Sequence, residues 1–186
     1  GVLKNFQVSR APIRGFSQSN GHGRKAVGHL PTSRQSNFIV ESHRTVPGPE
    51  LKRMLIGQCR KEGKSFGLIF AEITGGFTST GRIVPNAFNV TPVLVYRLHT
   101  DGREELVRGV DLIGTPLSAL NSLIATDDAP RVFNGTCGAE SGPVPVSAVS
   151  PALLLGTIEV QKKAKSQEKL PVLPPPPLQP TKRTSL

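Results

Sequence analysis

Apolar residues in this chain fall into short runs broken by glycine, proline and polar clusters, the rhythm of strands joined by turns. Val2, Phe6 and Val8 share one face of residues 1–9, with Lys4 among them, which predicts a strand. Residues 10–37 are polar and glycine-rich and read as a long loop; Asn37 to Glu41 reads as a short strand. The period then changes. Leu51, Met54, Leu55 and Cys59 recur at three- and four-residue spacing and predict a helix face, with Pro49 suited to the first turn and Gly63 to the stop.

Strands are expected over residues 66–74, which end at Gly75-Gly76, and over residues 82–90. Residues 92–98 and 104–110 flank Asp101-Gly102, a hairpin signal that calls for positive φ. A second helix is predicted from Thr115 as N-cap and Pro116 at the first position, with Leu117, Leu120, Leu123 and Ile124 as its apolar stripe and Asp127 to Pro130 as its end. Val132 to Gly142 then reads as a glycine loop around Cys137, and residues 144–149 and 152–160 as closing strands. About eight strands and two helices, with hairpins dominant, give an α+β class: β-rich, mainly antiparallel, with two helices.

Composition adds a boundary. From Gln161 the chain turns basic and then proline-rich, with four consecutive prolines from Pro174 to Pro177. Such a run favours an extended polyproline helix, so residues 161–186 read as a disordered tail behind one domain over residues 1–160. Opening on Gly1 inside an expected strand, the chain reads as a fragment or a processed product.

The net charge is +10, concentrated at the two ends: ten basic and two acidic side chains in residues 1–60, six and one in residues 161–186. That excess can attract nucleic acid or acidic surfaces, but no nucleic-acid-binding motif accompanies it, and a solvated surface is the preferred reading. Two cysteines, Cys59 in the helix pattern and Cys137 in the glycine loop, imply no disulfide framework and fit a reducing compartment. No apolar run approaches the roughly 20 residues of a membrane span.

Chemistry is sparse. The sequence holds no HExxH or HExxxH, no GxSxG elbow and no Walker-type loop. Cys137 is the residue that chemistry singles out: a thiolate ligates zinc well, and flanking glycines let backbone come close to a metal or substrate. A small, partly buried loop cysteine is the plainer reading. His22, His29, His43 and His99 read individually as structural or surface residues. Arg14, Arg24, Lys25 and Arg34 could meet a peptide carboxylate, though a solvated loop is preferred. Cys59 reads as core.

Several segments together resemble the C-terminal part of the TldD/PmbA family of zinc metallopeptidases. They are GVLKNF at the start, SNGHGR at 19–24, PTSRQSN at 31–37, FAEITGG at 70–76, ELVRGVDLIGTPLSALNSLIA at 105–125 and NGTCGAESGPVPVSAVSPALLL at 134–155. The combination of VRGVDLIG, NGTCG and VPVSAVSPALL carries the resemblance. It implies a cytoplasmic, two-part enzyme acting on unfolded peptides as a homo- or heterodimer, in which an upstream HExxxH helix supplies two histidine ligands and the general base. The cysteine of the GTCG motif, here Cys137, is implied as the third zinc ligand.

Because the HExxxH helix is absent from this sequence, the chain by itself is expected to be inactive, contributing a ligand and positioning substrate, with an exposed strand edge available to an extended peptide. The alternative is a metal-free partner subunit or interaction module of such a complex. Nucleic-acid binding through the basic segments is a weaker third.

Overall fold

The computed structural model describes residues 2–11, 13–79 and 86–163. The described residues form four sheets and two helices, strand-rich and mainly antiparallel, which is the α+β class expected. The proline-rich stretch and the first residues of the strand expected over 82–90 lie outside them.

The largest sheet runs β13-β8-β6-β5. It comprises β5 (Phe66–Ser79), β6 (Ala87–His99), β8 (Val110–Gly114) and β13 (Glu159–Lys162), and β7 (Glu104–Val107) also pairs with β6. The C-terminal half of β6 pairs with β7 and its N-terminal half with β8. The run expected as one strand over 104–110 is therefore divided, and Gly109, at φ +73°, turns the chain between the halves. At the preceding turn only Gly102 adopts positive φ, and His99 N–H donates to the Arg103 carbonyl at 2.9 Å.

Helix α1 (Gly48–Lys61) lies on β5. Its predicted apolar face is the inward one: Leu51, Met54 and Leu55 are half-buried and Cys59 is buried. Pro49 stands in the first turn and Gly63, at φ +67°, follows the last.

The second helix is shorter than its stripe predicts. Thr115 caps it by accepting from Ser118 N–H, but α2 spans only Pro116–Asn121, and Leu117 and Leu120 are exposed. Leu123 and Ile124 belong instead to β9 (Leu123–Asp127), which pairs with β12 (Leu153–Leu155) through Leu123, Ala125 and Thr126 and with β4 (Thr45–Val46) through Thr126 and Asp127. Cross-strand hydrogen bonds outweigh a short helix that has no face to bury. The run expected as one strand over 152–160 is likewise divided between two sheets, as β12 and β13.

The third sheet has the order β10-β11-β3, with β10 (Arg131–Cys137) antiparallel to β11 (Val144–Ser150) and β3 (Asn37–Ile39) parallel to it. The expected glycine loop around Cys137 is thus mostly strand. The expected N-terminal strand is irregular: Val8 N–H donates to Asn20 Oδ1 at 2.8 Å, and Asn20 Nδ2 donates to the Phe6 carbonyl at 2.7 Å. A side-chain amide has taken the place of a neighbouring strand.

Candidate metal-ligand site

Cys137 is the last residue of β10, paired with Val144 across the hairpin. Its thiol is half-buried, and both cysteines of the chain are free. The adjacent Gly138 is exposed, and a β-carbon added to it would meet nothing within 4 Å.

The turn that follows is docked against the glycine-rich segment. Ser141 is 1% exposed, and its carbonyl accepts from Ala26 N–H at 2.8 Å. Thr32 Oγ1 donates to Ser141 Oγ at 3.1 Å. Gly142 has φ +83°, and a β-carbon there would fall 2.7 Å from Ala26 Cβ and 3.1 Å from the His29 ring, so glycine is required twice over.

The docking partner is itself a small sheet, β1 (Gly23–Arg24) with β2 (Thr32–Ser33). Its glycine Gly23 lies close to Ser9, whose N–H donates to Ser33 Oγ at 2.9 Å. Arg24 closes the segment on itself, donating to the Gly21 and Gly23 carbonyls and to Ser36 Oγ.

Arg34 departs from the solvated-loop reading. It is 5% exposed, and its guanidinium donates to the Cys137 carbonyl, to the Gly142 carbonyl at 2.5 Å and to Ser141 Oγ at 3.0 Å. No local signal in the sequence marks this arginine, because its acceptors lie more than 100 residues away.

A profile described as the PmbA/TldA metallopeptidase C-terminal domain matches residues 1–162. The chain belongs to that family. A search of curated proteins finds no match for it.

A PmbA/TldA metallopeptidase domain implies a metal ion, and Cys137 fits the part of one ligand by its chemistry: a soft sulfur donor, free and half-buried. Among the described residues no three His, Cys, Asp or Glu side chains gather where they could hold an ion. His22 is engaged otherwise, its Nδ1 lying 2.7 Å from Asn20 Oδ1. His29 borders the docked turn at Gly142, His43 is exposed, and His99 pairs with Glu105 at 3.0 Å. Of the two free thiols, Cys59 is buried in α1 and Cys137 stands half-buried on the hairpin whose turn is docked.

The same hairpin leaves an edge open. Among the described strands β10 pairs with β11 alone, so its other edge, from Arg131 to Cys137, presents unpaired backbone groups beside the thiol. No helix of the described residues is long and apolar enough to cross a membrane.

Proposed function

We propose that this domain supplies Cys137 as one zinc ligand of a peptidase whose two remaining protein ligands and general base come from an HExxxH helix outside this sequence. The observation that carries this reading is the placement of Cys137: a half-buried thiol at the end of a strand, with the turn that follows it docked on a second segment. The chemistry zinc supplies when bound is activation of a water for attack on a peptide carbonyl. The residues of this chain hold the thiolate in place and orient substrate. An extended, unfolded peptide can pair its main chain with the open edge of β10, which ends at Cys137, without demand on its side chains. The enzyme works in the cytoplasm as a homo- or heterodimer of such subunits, and this chain alone is inactive.

Zinc stoichiometry tests the reading, measured by elemental analysis on this chain and on the full gene product, each with and without Cys137→Ala. Zinc bound by the full product and lost in its Cys137→Ala variant is the expected result. Full zinc content in that variant would remove the central claim. Zinc in neither wild-type protein would assign the chain to a metal-free partner subunit instead.

A further inference from the structure

We propose that Arg34 is a positioning residue that fixes Cys137 for metal binding; the proposal rests on the reading of Cys137 as a ligand. One planar guanidinium ties down both ends of the turn that follows the thiol. Nη2 donates to the Cys137 carbonyl, while Nη1 donates to the Gly142 carbonyl at 2.5 Å and to Ser141 Oγ at 3.0 Å. The arginine's own backbone is held in turn, since its N–H donates to the His22 carbonyl at 2.9 Å.

This is an unusual place for an arginine. Among the described residues its ion-pair partners include no carboxylate, and its Nε is buried with no hydrogen-bond partner. Burying a charge without a counter-charge is costly, and a turn that only needed closing could be closed by neutral side chains such as Ser141 and Thr32. What the guanidinium adds is rigidity. Two carbonyls five residues apart in sequence are referred to one plane, so the backbone that carries the thiol cannot shift relative to the 22–34 segment. Metal ligands need such support: partners that orient a ligand change metal affinity by about 10- to 100-fold when removed.

Lysine keeps the charge but not the fork, and it can satisfy one carbonyl at a time. The prediction is therefore graded. In the full gene product, zinc affinity falls by about 10- to 100-fold in Arg34→Met and by less in Arg34→Lys. With cobalt in place of zinc, the thiolate charge-transfer band of Arg34→Met weakens or shifts, a change that a general loss of stability does not produce. In this chain alone, alkylation reports the turn directly: Cys137 reacts at a changed rate in Arg34→Met, while buried Cys59 stays protected and certifies the fold.

Zinc affinity within twofold of wild type in Arg34→Met, with an unaltered cobalt spectrum, overturns the proposal if Cys137→Ala abolishes binding. Retention of zinc by Cys137→Ala overturns the ligand assignment itself. Should Arg34→Met expose Cys59 to alkylation, the same readings on Arg34→Lys decide: reduced affinity with an altered cobalt band supports the clamp, and wild-type values overturn it.

Discussion

Leu55 of α1 rests directly on the backbone of Gly67 in β5. A β-carbon at Gly67 would lie 2.6 Å from Leu55 Cδ1 and 3.1 Å from Cys59 Sγ. The helix can therefore lie flush on the large sheet only because residue 67 has no side chain. Gly67→Ala forces Leu55 from its place, at a cost of about 1–3 kcal/mol for overpacking. The lower backbone entropy of alanine in the unfolded chain returns only about 0.4–1 kcal/mol. Net destabilisation is expected, measurable as a lower urea midpoint. An unchanged or higher midpoint would show that the helix is not seated as tightly as this geometry states.

Asp127 ends β9 almost entirely out of solvent, at 1% exposure, where the sequence pattern expects the end of a helix. Its Oδ1 accepts from Ala152 N–H at 2.7 Å, and its Oδ2 lies 3.2 Å from Arg131 Nη1. The carboxylate thus joins the end of β9 to the chain entering β12 and to the first residue of β10. Asp127→Ala strands the Ala152 N–H and removes a charged acceptor, for which about 1.5–3 kcal/mol is expected. Asp127→Asn keeps an acceptor oxygen and should lose less. Thermal denaturation of the two variants checks the order, and equal losses would mean that the charge, not the acceptor, carries the effect.

Local signals were the legible part of this fold. Helix α1 has an apolar stripe, a proline in its first turn and a glycine after its last, and the structure follows all three. Gly102 marks its turn because the backbone there must adopt positive φ. Where the reading failed, distant partners decided. Leu123 and Ile124 continue a helical stripe, yet pairing with residues 153–155 draws the segment into a sheet. The segment from Val2 to Val8 alternates like a strand but bonds to the side chain of Asn20. At the site, the thiol of Cys137 stands out by chemistry alone. The burial of Arg34 does not, since it follows from acceptors at Cys137, Ser141 and Gly142, supplied by a hairpin far along the chain.

Glu105 sets part of the acid sensitivity of the large sheet. Its hydrogen bond from His99, at 3.0 Å, is the main cause that holds the carboxyl below its ordinary value of 4.5; the charge of Arg97 adds to it and desolvation opposes it. A carboxyl whose pKa is lower in the folded state contributes stability that is present above its unfolded value and lost as pH falls through the folded one. Glu105→Gln should therefore flatten the fall in melting temperature between about pH 6 and about pH 3. The slope does not vanish, because Glu62 and Asp101 are lowered too, by bonds from Lys64 and from the Arg103 backbone. An identical slope in variant and wild type would mean that the His99 contact is not maintained in solution.

Gly142 provides the sharpest structural test of the docked turn, independent of any metal. Its φ of +83° lies in the left-handed region, which costs a residue with a side chain about 1–2 kcal/mol. The same substitution would press a methyl group to 2.7 Å from Ala26 Cβ, on the segment that grips the turn. Gly142→Ala thus carries strain and a clash at one point, and both are relieved by the same motion: the turn lifts away from residues 26–34. The reporter is the Ala26 amide, which donates to the Ser141 carbonyl at 2.8 Å only while the turn is docked. Its hydrogen exchange should accelerate by about tenfold or more in the variant, in proportion to the local free energy lost. Amides of α1 sit on a different sheet and should exchange as before. Acceleration at both places would mean that the turn and the large sheet open together, and acceleration at neither that the turn bends without leaving Arg34.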